Sequence, residues 1–122
     1  MKSSLTALFL VLMISAFGQD RTDAYARKEK SFNTDKSMGI FEFQLKPAPK
    51  AEFVQKRASY YTDFFTVDYK EEKGKMKIRL TENTEQNKLI ILRLFRSLGI
   101  ENIHQDNLHL NSKQFYEQKI KN

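Results

Sequence analysis

His104 and His109 are the only histidines in the 122-residue chain, and they flank the dipeptide Asp106-Asn107 at a spacing of five. Asp-Asn between two short apolar runs predicts a two-residue turn, which sets the histidines opposite each other on one face of a small hairpin and pairs Ile103 with Leu110 on the other. Two imidazoles at that separation can share a divalent ion, with Asp106, Asp68 or water completing the shell. The same pattern also describes the ordinary polar face of a hairpin whose other face is apolar. Cysteine is absent, which excludes a thiolate metal site, a disulfide framework and a thiol nucleophile.

The other reactive residue types give no catalytic constellation. Glu71-Glu72 is the one adjacent acid pair in a loop, and it lies between Lys70 and Lys73, where both carboxylates stay solvated and ionised. The chain contains no Gly-rich phosphate loop, no HExxH and no serine in a nucleophile-elbow context. The expectation is therefore a protein that is not an enzyme, with no catalytic residues and no cofactor.

Tyr60, Tyr61, Phe64 and Phe65 form the densest aromatic cluster. Strand alternation directs Phe64 and Ile40 to a sheet face left bare of helices, with Lys77 and Arg79 beside them. These four residues are the candidate partner-binding surface. The same topology serves RNA-recognition domains, but the strand carrying Lys77 and Arg79 has no aromatic where those domains stack bases, so nucleic acid is disfavoured. A protein or a polymer of the cell envelope is the expected partner.

The elements that must position these residues are written in the hydrophobic period. Met38 to Lys46 alternates, with Phe41, Phe43 and Leu45 on one side, and Pro47-Ala48-Pro49 ends the strand. Ala51, Val54, Ala58 and Tyr61 then fall on one helical face. Phe65, Val67 and Tyr69 alternate again, as do Met76, Ile78 and Leu80. A loop of Glu71-Glu72-Lys73-Gly74 joins the two runs. If Lys70 opposes Lys75, all six apolar side chains share one face, so a hairpin in that register is predicted.

Asn83, with Gln86 three residues later, predicts the cap of a second helix that carries Leu89 to Leu98 and stops at Gly99. Ile100 to Gln105 and Leu108 to Leu110 follow as short strands. A terminal helix bearing Phe115, Tyr116 and Ile120 is capped by Asn111 or Ser112. The order β-α-β-β-α-β, with an extra strand and a terminal helix, predicts an α+β ferredoxin-like sandwich with two helices on one face of an antiparallel sheet.

Two segments precede this domain, which is expected over residues 38–122. Residues 1–18 place Lys2 before an apolar run from Leu5 to Phe17, and Ala16-Phe17-Gly18 offers small residues at the positions a signal peptidase reads. The run is shorter than the roughly 20 apolar residues a spanning helix takes. A cleaved signal and an exported chain, periplasmic or secreted, are expected, with no transmembrane segment after cleavage. Residues 19–37 are polar, with Tyr25 and Phe32 as their large apolar residues, and are expected to be a partly disordered leader. The whole chain carries 21 Lys and Arg against 15 Asp and Glu, net +6. Removing Lys2 leaves +5, which suits an anionic partner as well as an ordinary solvated surface.

From Met38 to Gln105 the element order, the charged hairpin YKEEKGKMKIRL and the helix ending in Leu98-Gly99-Ile100 resemble the heavy-metal-associated domains of copper and zinc chaperones. That resemblance implies the ferredoxin-like fold. Those domains hold metal through two cysteines between the first strand and first helix. Here that loop is Lys46-Pro47-Ala48-Pro49-Lys50, so the family's usual site is not expected.

Overall fold

A computed structural model describes residues 21–122; the expected signal at 1–18 lies outside the described residues. Among the described residues the fold is α+β, with one mixed six-stranded sheet and four helices. The strands are β1 (Thr22–Ala26), β2 (Ile40–Lys46), β3 (Phe65–Lys70), β4 (Lys75–Leu80), β5 (Ile100–Gln105) and β6 (Leu108–Asn111). The helices are α1 (Glu29–Ser37), α2 (Ala51–Ala58), α3 (Glu85–Ser97) and α4 (Ser112–Phe115). A 3-10 turn, Ser59–Tyr61, extends α2, and a π-helical turn, Tyr116–Ile120, extends α4.

The sheet order is β3-β4-β2-β1-β5-β6, with every neighbouring pair antiparallel except β1 and β5. This corrects the expectation for residues 19–37. Rather than a loose leader, residues 22–37 supply a strand in the middle of the sheet and a helix. β1 stands between β2 and β5, so the direct pairing of Ile40–Lys46 with Ile100–Gln105 that a four-stranded sandwich requires is absent. Ala24 and Phe32 are 0% and 1% exposed, as only residues integral to the core can be.

The predicted periodicities decide what is buried. Phe41, Phe43 and Leu45 of β2, Phe65 and Tyr69 of β3, Met76, Ile78 and Leu80 of β4 and Ile103 of β5 join one core. Val54 of α2, Ile91, Leu94 and Phe95 of α3, and Phe115, Tyr116 and Ile120 at the end of the chain complete it. Phe32 of α1 meets Phe41, Phe43 and Phe115 edge to face with ring centroids 5.8, 6.1 and 5.5 Å apart, and Phe43 meets Phe95 at 5.2 Å. Such edge-to-face contacts add about 0.5–1.5 kcal/mol each beyond area burial. All four helices contribute to this core, so they lie on one face of the sheet.

Caps and loops lock the layers together. Thr84 caps α3, its hydroxyl accepting from the Asn87 N–H, in place of the expected Asn83. The Asn83 amide instead donates to the Lys36 and Ser37 carbonyls at the end of α1. Asn111 caps α4 in a reciprocal capping box with Gln114. Glu71 is not a free loop acid: its carboxylate accepts at 2.7 Å from the Ala51 N–H, at the start of a helix whose own N-cap, Lys50, offers no side-chain acceptor. Gly74 closes the hairpin loop at φ +64°, and its carbonyl accepts from the Leu45 N–H at 2.7 Å. No helix of the described residues is long and apolar enough to cross a membrane.

Candidate functional site

Because side chains alternate along a strand, each core-facing residue leaves neighbours on the opposite, helix-free face. The registers place those neighbours in transverse rows. The longest row crosses all six strands: Lys70 on β3 pairs with Lys75 on β4, Lys75 with Gln44 on β2, and Gln44 with Tyr25 on β1. Tyr25 then pairs with His104 on β5, and His104 with His109 on β6. At about 4.8 Å per strand spacing the row is about 24 Å long.

Side-chain contacts tie the histidine end together. The Tyr25 ring stacks on His104 with centroids 4.6 Å apart and planes 23° apart, while the Lys46 ammonium sits 5.2 Å from the centre of the Tyr25 ring. With both neighbours in place, Tyr25 is not a free stacking platform. His104 Nε2 lies 2.9 Å from the Asp23 carboxylate, and its Nδ1 lies 2.5 Å from Nδ1 of His109.

The next row is charge-balanced. Asp68 pairs with Lys77 and Lys77 with Glu42, and Glu42 lies 3.8 Å from the Lys77 ammonium and 3.9 Å from the Arg27 guanidinium. A third row joins Thr66, Arg79 and Ile40. Across the face Glu42 lies between Lys77 and Arg27 and Asp23 lies against the His104 ring, whereas Asp68, Lys70, Lys75 and Arg79 have no ion-pair partner among the described residues. The bare face is therefore cationic, and its excess charge lies along its β3–β4 side.

Of the residues singled out from the sequence, Ile40, Lys77 and Arg79 do share this face. Phe64 does not. β3 begins at Phe65, so strand alternation does not reach back to Phe64, which is half-buried and packs against the core. His104 and His109 are brought together as expected. Neither acid named as a completing ligand joins them: Asp106 accepts from the Glu29 N–H at the start of α1, and Asp68 lies four strand positions away from His104. The acid at the pair is Asp23. Among the described residues, no group of three His, Cys, Asp or Glu side chains is set to enclose a metal ion.

Asp23, Tyr25, Gln44, Lys46, Lys70 and Lys75 carry no sequence motif that marks them as site residues. The predicted Lys70–Lys75 pairing was enough to find the two lysines. Asp23 and Tyr25 depended on recognising β1. No family model, no curated protein and no solved structure matches this chain.

Proposed function

We propose that this chain is a non-enzymatic binding module, exported to the cell envelope, whose helix-free sheet face holds an acidic polymer of that compartment. The observation that supports this best is the row from Lys70 to His109. It is a continuous row across six strands with unpaired cations at one end and no acid within it. Charge complementarity selects an anionic chain, and the length of the track favours an extended one over a small ion. The directly opposed Lys70 and Lys75 repel one another in the free protein, and a polyanion laid across them relieves that cost. The signal expected at residues 1–18 would deliver the module to acidic glycans.

The series β2-α2-β3-β4-α3-β5 is read here as a ferredoxin-like unit of the heavy-metal-associated type, opened by the insertion of β1. Its support is the element order together with the right sequence of strand directions. Under this reading the unit keeps the scaffold, and the bare face takes over the binding role.

The test is a heteronuclear NMR titration with a carboxylated polysaccharide such as polygalacturonate, with neutral dextran as the control. Shift changes concentrated at Lys70, Lys75, Gln44 and Tyr25, weakening with added salt, support the proposal. Changes centred on the helix layer, or equal responses to dextran, contradict it.

A further inference from the structure

We infer that His104 and His109 form a binding site for one late first-row divalent transition ion, with Asp23 and Tyr25 as the residues that position His104. The inference stands on side chains of β1, β5 and β6 and is independent of the anionic-polymer reading.

His104 is held on two sides. Tyr25 lies against its ring face, and the Asp23 carboxylate, which can only accept, lies 2.9 Å from Nε2. The carboxylate places the ring proton of a neutral His104 on Nε2 and leaves a lone pair on Nδ1. That lone pair is aimed at Nδ1 of His109, 2.5 Å away. A carboxylate behind a histidine whose other nitrogen faces a second histidine is the arrangement that raises ligand basicity and fixes the ring for a metal.

The two nitrogens lie closer together than an ion bound by both allows. Zn–N bonds of about 2.0–2.1 Å at a tetrahedral angle separate two nitrogens by about 3.4 Å, so the rings must part by about 1 Å. His109 is exposed on the edge strand β6 and touches His104 alone among aromatic rings, so its ring is the one that must shift, while Asp23 and Tyr25 hold His104. Asp23 cannot itself be a ligand in this arrangement, because it holds the nitrogen on the far side of the His104 ring. The ion thus takes two protein ligands and fills its remaining positions with water or with an oxygen from a bound molecule. Imidazole ligands select Cu(II), Ni(II) and Zn(II) over the hard cations Mg(II) and Ca(II).

The experiment is calorimetric titration of Zn(II) into the untagged full chain, with Mg(II) as control and the two imidazole rings followed by NMR. Because the chain has only these two histidines, each ring signal is assignable. One Zn(II) per chain is expected, with both rings shifting as Nδ1 ligands. His109→Ala removes the binding, and Asp23→Asn weakens it roughly 10-fold. Lys113→Glu, an exposed change on α4, leaves it in place. No Zn(II) binding up to millimolar concentration, or unchanged binding in both His104→Ala and His109→Ala, overturns the inference and leaves a hydrogen-bonded histidine pair. Binding that is lost in both alanine variants but unchanged in Asp23→Asn overturns the role given to Asp23.

Discussion

Lys70 and Lys75 stand directly opposite each other where β3 and β4 enter their hairpin, both on the helix-free face and neither ion-paired among the described residues. Like charges directly opposite on adjacent strands are destabilising by a few tenths of a kcal/mol to about 1 kcal/mol. Lys75→Thr, which keeps a residue suited to a strand, is therefore expected to stabilise the fold by about 0.5 kcal/mol while weakening polyanion binding. Urea denaturation checks the first half. A lower midpoint for the variant would show that the two ammonium groups do not repel appreciably.

Phe32 is the only fully buried side chain of α1 and touches three phenylalanines from two other elements. Phe32→Ala should cost about 3–5 kcal/mol, the range for removing a buried aromatic from a close-packed core. A loss under 1 kcal/mol would mean that residues 22–37 are an appendage. Chemical denaturation distinguishes these outcomes.

Phe32 also marks where the sequence stops being readable. Elsewhere the apolar period carries the structure: Phe65, Val67 and Tyr69 oppose Leu80, Ile78 and Met76 in the expected register, and Ile103 opposes Leu110 beside the His104–His109 pair. Gly99 takes the predicted positive φ, at +76°. β1 gives no such signal because its inward positions are Thr22 and Ala24, small residues that pass between two neighbouring strands without a large apolar side chain to announce them. α1 buries one residue in nine, too few for a stripe. Half of the candidate face was thus legible through the hairpin register. The other half, Asp23 and Tyr25, depended on a parallel pairing with a strand almost eighty residues away, and local pattern carries no trace of that.

Glu71 reaches from the β3–β4 loop to the first N–H of α2 and supplies the acceptor that Lys50 lacks. Glu71→Ala should cost about 1 kcal/mol, as loss of a cap does, and Glu71→Gln only a few tenths because it keeps the acceptor and loses the charge. Thermal denaturation of the two variants side by side measures the difference. Equal losses would assign the effect to charge alone.

Gly74 sits at φ +64°, and a Cβ there would come within 2.4 Å of the Leu45 carbonyl oxygen. Gly74→Ala adds left-handed backbone strain to a clash with main chain that cannot yield cheaply. The substitution should destabilise the fold by more than 1 kcal/mol and disturb the Leu45–Gly74 hydrogen bond. Faster amide exchange at Leu45 would report the disturbance directly, and unchanged exchange would contradict it.

Burial raises the phenols of Tyr69 and Tyr116 above their ordinary value of 10.0, with Glu71 adding to the first and Glu85 and Glu117 to the second. Tyr69 also donates its hydroxyl proton to the Pro49 carbonyl at 2.5 Å. A raised folded value means that the fold prefers the neutral phenol. The stabilisation is complete below pH 10 and is lost as the pH rises through the folded values. Denaturation midpoints should therefore fall above pH 10, and the Tyr69→Phe, Tyr116→Phe double variant should show a flatter fall. An equally steep fall in the double variant would assign alkaline unfolding to other groups.

The most direct test of the binding face compares two charge reversals of equal size. Lys70→Glu with Lys75→Glu alters the bare sheet face, whereas Lys30→Glu with Lys113→Glu makes the same change in net charge at exposed positions of α1 and α4. Affinity for polygalacturonate is measured for each at fixed, low salt. The account predicts at least a 10-fold loss for the sheet-face pair and less than a 3-fold loss for the helix pair; equal losses in the two would mean that net charge alone governs binding, which would contradict a specific site on the sheet.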